Sequence, residues 1–129
     1  MKIERFTDLV VWQEAHKLAL FVYRITARFP ARERFGIVGQ SRRAAASVCA
    51  NLDKGFGRRT TKELLRSLQI ARGELEEIRY FLILGRDLAH LQPDDFAKAD
   101  AQCDVVAKLM NALSRSLRER LAARLAKAK

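Results

Sequence analysis

Residues 40–59 read Gln40-Ser-Arg-Arg-Ala-Ala-Ala-Ser47-Val-Cys-Ala-Asn51-Leu-Asp-Lys-Gly55-Phe-Gly-Arg-Arg59. Ser41, Ala44, Ala45, Ala46, Ser47 and Ala50 give this stretch small side chains at helical spacing. A helix so slim lets its neighbours approach closely, which makes it the expected crowded centre of a helical bundle. Gly55 is expected to end it, since glycine tolerates the left-handed conformation that closes many helices. Arg58 and Arg59 then put positive charge on the corner that follows.

Working outward, spacing predicts four helices, at about 8–28, 35–54, 61–87 and 93–125. The first takes Thr7 as N-cap and is closed by Pro30. Its seam is Val11, Ala15, Leu18, Val22, Ile25 and Phe29, an alternating 4-3 spacing that keeps one face toward a partner. Leu20, Phe21 and Tyr23 carry apolar surface beyond that seam, which in so small a domain points to self-association. The third helix opens on Thr60-Thr-Lys-Glu63, a capping-box pattern, and its seam is Leu64, Leu68, Ala71, Leu75, Ile78, Leu82 and Gly85. The fourth starts near Gln92-Pro93-Asp94-Asp95, with proline at its first position and two carboxylates at the positive end of the dipole. Its seam runs Phe96, Ala99, Cys103, Val106, Met110, Leu113, Leu117, Leu121 and Leu125. Short connectors between long helices predict one domain, residues 1–129, folded as an all-α, antiparallel up-down-up-down four-helix bundle.

The bulk numbers agree. Of 129 residues, 49% are hydrophobic, while six glycines and two prolines are too few for a turn-rich β architecture. No apolar run reaches the roughly 18 to 20 residues of a membrane span. Met1-Lys-Ile-Glu-Arg-Phe lacks the apolar region and cleavage site of a signal peptide, so a cytoplasmic location is expected. Cys49 and Cys103 stand apart in helical patterns and read as free buried thiols.

Charge is the strongest bulk signal, at net +10. It is unevenly placed: residues 1–71 carry +8, residues 72–104 carry −4 and residues 105–129 carry +6. A basic protein polarised in this way has polyanions as natural partners.

The candidate phosphate contacts are Arg42, Arg43, Arg58, Arg59, Lys62 and Arg66. Gly55-Phe-Gly-Arg-Arg-Thr60 precedes a helix N-terminus, where free N–H groups, the dipole and these cations suit an anion. The competing reading is a glycine cap followed by solvated arginines. If the corner and the helices share a face, five or six cations form one patch. Arg72, Arg79 and Arg86 recur every seven residues with Glu76 between the first two, which reads as an intrahelical ion-pair stripe. Arg115, Arg118, Arg120, Arg124 and Lys127 flank Leu117, Leu121 and Leu125 as the solvated face of the last helix. Trp12, Tyr23, Phe29 and Phe35 read as core or interface, and His16 and His90 as isolated, partly exposed structural histidines. Asp94 and Asp95 are accounted for by the helix dipole. No nucleophile, base and orienting group can be assembled, so no catalytic residue, cofactor or metal site is expected.

With helices and corner placed, the chain resembles the four helix bundle proteins encoded in intervening sequences of bacterial 23S rRNA genes, a family similar to the accessory variability determinants of diversity-generating retroelements. Phe6-Thr-Asp-Leu-Val-Val-Trp-Gln13, Tyr23 through Phe29-Pro30, Phe35-Gly36, Gln40-Ser-Arg-Arg-Ala44 and Ser47-x-x-x-Asn51-x-x-x-Gly55-Phe-Gly-Arg58 carry the resemblance. Thr61-Lys-Glu63 and Gly73-Glu-Leu-Glu76 follow in order, so it covers roughly residues 6–120. It implies a ring-like homo-oligomer, a homopentamer, with a role in binding nucleic acid and, for the retroelement relatives, a reverse transcriptase. Val48-Cys49 replaces the family's Ile-Pro, and Asp53-Lys54 its Ala-Glu, which makes the corner more basic. The expectation is a non-enzymatic adaptor that binds RNA, or less favourably DNA, through its phosphates. The alternative is a scaffold that docks a protein partner.

Overall fold

The computed structural model of the chain describes residues 9–128. Among them are four α-helices and no strand: α1 Val10–Thr26, α2 Gly39–Phe56, α3 Thr61–Asp87 and α4 Pro93–Ala128. A 3-10 turn at Ala31–Glu33 and a π-type segment at Arg34–Val38 lead into α2. No helix among the described residues is long and apolar enough to cross a membrane. The expected cap Thr7 and the N-terminal hexapeptide lie outside the described residues.

The predicted seams are the core. Val11, Ala15, Leu18, Val22 and Ile25 of α1 are buried, as are Leu68, Ala71, Leu75, Ile78, Leu82 and Gly85 of α3. Ala99, Cys103, Val106, Met110 and Leu117 of α4 face them. Each fully buried leucine or isoleucine contributes on the order of 1.5–3 kcal/mol by leaving water. The α4 seam fades toward its end, where Leu121 is half-buried and Leu125 is 59% exposed. From α2, Ala44, Ala45, Val48 and Leu52 reach the core, while Ala46 and Ala50 are exposed.

Helix ends follow local chemistry, with corrections. α2 begins at Gly39 rather than residue 35, because Gly36 is non-helical at φ −96°, ψ −115° and kinks the chain before it. α1 stops at Thr26 rather than Arg28. Thr26 Oγ1 bonds back to the Val22 carbonyl at 2.7 Å, and Arg42 Nη2 of α2 donates to the Tyr23 carbonyl at 3.1 Å. Orphan carbonyls of α1 are thus met by a neighbouring helix before Pro30 is reached. Gly55 does not end α2. It lies within the helix, no glycine among the described residues has positive φ, and Gly57 closes the helix at φ −84° by donating to the Asp53 and Lys54 carbonyls at 3.2 Å. α3 has the expected bounds, and its cap is made, with Glu63 N–H donating to Thr60 Oγ1 at 3.1 Å. α4 starts at Pro93 and runs three residues past the expected end.

Two aromatic expectations divide. Trp12 and Phe29 pack against the core, but Tyr23 is 45% and Phe35 85% exposed. Both cysteines are free; Cys103 is buried and Cys49 half-buried. Burial pushes the Cys49 thiol up to about 11 and the Cys103 thiol up to about 12.

Candidate nucleic-acid interface

The corner between α2 and α3 is tightly built. A Cβ placed on Gly55 would stand 2.8 Å from Ser67 Cβ and 3.0 Å from Leu64 Cδ1, so the two helices touch where any other residue would hold them apart. Four residues lie outside regular helix here, Gly57, Arg58, Arg59 and Thr60. Arg58, Arg59, Lys62 and Arg66 are all exposed there, and their side chains make no hydrogen bond or ion pair to any described residue. Lys54, one turn before Arg58, joins them. Lys54, Arg58 and Arg66 line one groove of about 470 Å³, with Asn51, Ser67 and Ile70 in its wall and Glu63 its one carboxylate.

The backbone offers less than the sequence promised. The amides of Gly57 and Arg58 donate to carbonyls of α2, and those of Glu63 and Leu64 both donate to Thr60. The amides of Thr61 and Lys62, the first two of α3, have no acceptor among the described residues and remain beside the side-chain cations.

Arg42 and Arg43 are not part of the corner. They precede Arg58 by about four turns, on the order of 20–25 Å along a helix. Arg42 Nε donates to Thr26 Oγ1 at 2.9 Å, and its guanidinium lies 4.8 Å from the Tyr23 ring centroid. Arg43 turns the other way, toward α3, pairing with Glu77 at 2.8 Å and standing 3.9 Å from Glu74. Glu74 Oε2 is buried without a hydrogen bond, and burial together with neighbouring Glu77 raises the Glu74 pKa. The patch of six cations on one face does not form; four of the six share the corner.

The arginine stripe of α3 holds the expected intrahelical pairs and adds contacts across helices. Arg72 and Arg79 both reach Glu76 within the helix, Arg79 at 3.8 Å, and Arg79 also spans to α4, meeting Asp104 at 2.6 Å and Asp100 at 3.2 Å. Arg86 pairs with Asp87 at 2.9 Å and covers the Phe96 ring at 4.5 Å. Asp95 meets Arg28 at 3.8 Å, and His90 Nε2 lies 3.2 Å from Glu33, tying the α3–α4 turn to the 3-10 turn. His16 is exposed and stacks on Trp12 at 4.9 Å between ring centroids.

Two cations near the corner, Lys54 and Arg124, were not among the candidate phosphate contacts. Lys54 could have been found from its i, i+4 spacing to Arg58. Arg124, whose Nη1 reaches Thr61 Oγ1 at 3.5 Å, could not, because only folding brings the end of α4 to the start of α3. That contact adds the basic tail of α4 to the cationic end of the molecule. Among the described residues no three His, Cys, Asp or Glu side chains converge as a metal site.

Fold and site define a small, basic, four-helix protein with an unpaired cationic corner. The model of the 23S rRNA-intervening sequence protein family matches residues 7–112, and the chain belongs to that family. Among solved structures it is similar to a protein of unknown function from the S23 ribosomal protein family of Bacteroides thetaiotaomicron. The two share 19% identity and superpose with a TM-score of 0.75 over 82% of this chain and 96% of the other, a likeness of fold. No curated protein matches the chain.

Proposed function

We propose that this protein is a non-enzymatic adaptor that binds the phosphate backbone of RNA or DNA at the α2–α3 corner. One contrast carries the reading. Arg42, Arg43, Arg72, Arg79 and Arg86 all have partners within the chain, whereas Arg58, Arg59, Lys62 and Arg66 have none among the described residues. Unpaired, exposed cations set side by side are what phosphate contacts require, and no element here suits base reading in a groove. Family membership supports the same direction. The up-down-up-down course of the helices and assembly into a ring-like homopentamer belong to this proposal. Gly55 meeting Ser67 while Arg43 meets Glu77 supports the antiparallel course, and exposed Leu20, Tyr23 and Phe35 support self-association.

Fluorescence anisotropy with a structured RNA and a matched DNA duplex, over a salt series, tests the reading. Four phosphate contacts predict a log K against log[salt] slope of about −3 to −4. Arg58→Glu with Arg59→Glu should abolish binding and leave the helical CD signal intact. Wild-type affinity in that variant sinks the site. No binding at low salt moves the function to a protein scaffold, which the same exposed apolar side chains favour.

A further inference from the structure

The groove at the α2–α3 corner holds two groups that phosphate binding leaves unused, Asn51 on the α2 side and Glu63 on the α3 side. Asn51 Nδ2 donates to the Ser47 carbonyl at 3.0 Å and to Ser47 Oγ at 3.2 Å. A carbonyl can only accept, so the nitrogen of the amide must face Ser47, and Oδ1 is the end left for the groove. No donor among the described residues reaches that oxygen. The Glu63 amide donates to Thr60 Oγ1 at 3.1 Å, but the carboxylate accepts nothing back from the Thr60 amide. Nor does it form an ion pair with Lys54, Arg58 or Arg66, the cations that share the groove. A carboxylate in the first turn suits the helix dipole. In the wall of a cationic groove, however, it repels phosphate.

Both groups can only accept hydrogen bonds, whereas Ser67, the remaining polar side chain of the wall, can donate as well. A DNA backbone offers them no donor, because its phosphate and sugar oxygens carry no proton. An RNA backbone offers one at every sugar, the ribose 2′-OH.

We infer that this groove selects RNA over DNA, with Asn51 Oδ1 and the Glu63 carboxylate accepting from ribose 2′-OH groups while Lys54, Arg58 and Arg66 hold the flanking phosphates. The inference rests on the nucleic-acid reading of the corner and adds which nucleic acid it takes. On DNA both acceptors stay unpaired beside the strand, and Glu63 adds a repulsion that no contact offsets. On RNA the same carboxylate gains a charge-assisted hydrogen bond, the stronger kind. The cations supply affinity for either backbone, and the two acceptors supply the difference between them.

The test uses three single strands of one sequence and length at fixed salt: RNA, DNA, and RNA with fluorine in place of every 2′-OH. The fluoro strand keeps an RNA-like sugar shape but cannot donate. Two hydrogen bonds, one of them to a charged group, predict that RNA binds about tenfold or more tightly than either of the others. Asn51→Ala should lower affinity for RNA. Glu63→Gln should raise affinity for DNA and for the fluoro strand. The two substitutions together should leave the three strands nearly equal, and a helical CD signal checks that each variant is folded. Arg58→Glu with Arg59→Glu should abolish binding of all three. Equal affinity for RNA and the fluoro strand overturns the inference and spares the corner, as does an RNA preference that survives both substitutions. Failure of every strand to bind at low salt overturns the corner and the inference together.

Discussion

Gly55 of α2 and Ser67 of α3 meet so closely that a Cβ on the glycine would stand 2.8 Å from the serine's own. Both residues are buried, and the contact sets how near the two helices lie just before the cationic corner. A glycine that looked like a helix terminator is a packing residue.

The same substitution should therefore have opposite signs at two helical glycines. Gly55→Ala gains up to about 1 kcal/mol of helix propensity but forces apart a closed contact, for a net loss of about 1–2 kcal/mol. Gly73→Ala meets nothing and should stabilise by about 0.5–1 kcal/mol. Urea unfolding of both variants, followed by CD, reads the difference. Gains at both sites would show that the α2–α3 contact is slack.

Thr60→Ala removes the acceptor of the Glu63 amide and should cost about 1 kcal/mol of stability. Because the cap carries no charge, affinity for nucleic acid should stay within about twofold of wild type where the protein is folded. A loss of binding comparable to that of the charge-reversed corner would mean that Thr60 itself touches the ligand.

Two carboxylates should respond to acid in opposite ways. The hydrogen bond from Arg79 holds Asp104 below the usual carboxylate range. Its stabilisation is complete above the unfolded value, about 3.9, and is lost as pH falls through the lower folded value. Burial and Glu77 raise Glu74, so the folded state binds that proton more tightly than the unfolded chain does. Its ionisation costs stability above the folded value, a cost that fades as pH falls toward about 4.3. Asp104→Asn should destabilise at pH 7, and Glu74→Gln should stabilise, with the Glu74→Gln gain gone by about pH 4. Urea midpoints at pH 7, 5.5 and 4 check both signs.

The thiols should be inert while the chain is folded. With Cys49 raised to about 11 and Cys103 to about 12, little of either is thiolate at pH 8. Reaction of Cys49 with an aromatic disulfide reagent should be slower than that of a free thiol by about 100-fold or more, and Cys103 should react only on unfolding. Rapid native labelling at Cys103 would mean that the α4 seam opens readily.

Helix count, the α3 bounds, the start of α4 at Pro93 and nearly every seam residue were legible in the sequence. They follow from interactions within one or two turns: 3.6-residue periodicity, a Thr60 cap, a proline that suits only a first helical position. Local chemistry likewise placed Arg58, Arg59, Lys62 and Arg66 around a short corner. Tertiary structure alone decided where the longer side chains went. Arg42 closes α1, Arg43 reaches Glu77, and Arg79 reaches Asp100 and Asp104 as well as Glu76 of its own helix. Those choices depend on the rotation and spacing of neighbouring helices, which come from packing of the whole core and not from any short stretch of chain. That packing separates the arginines occupied inside the fold from those left unpaired at its corner.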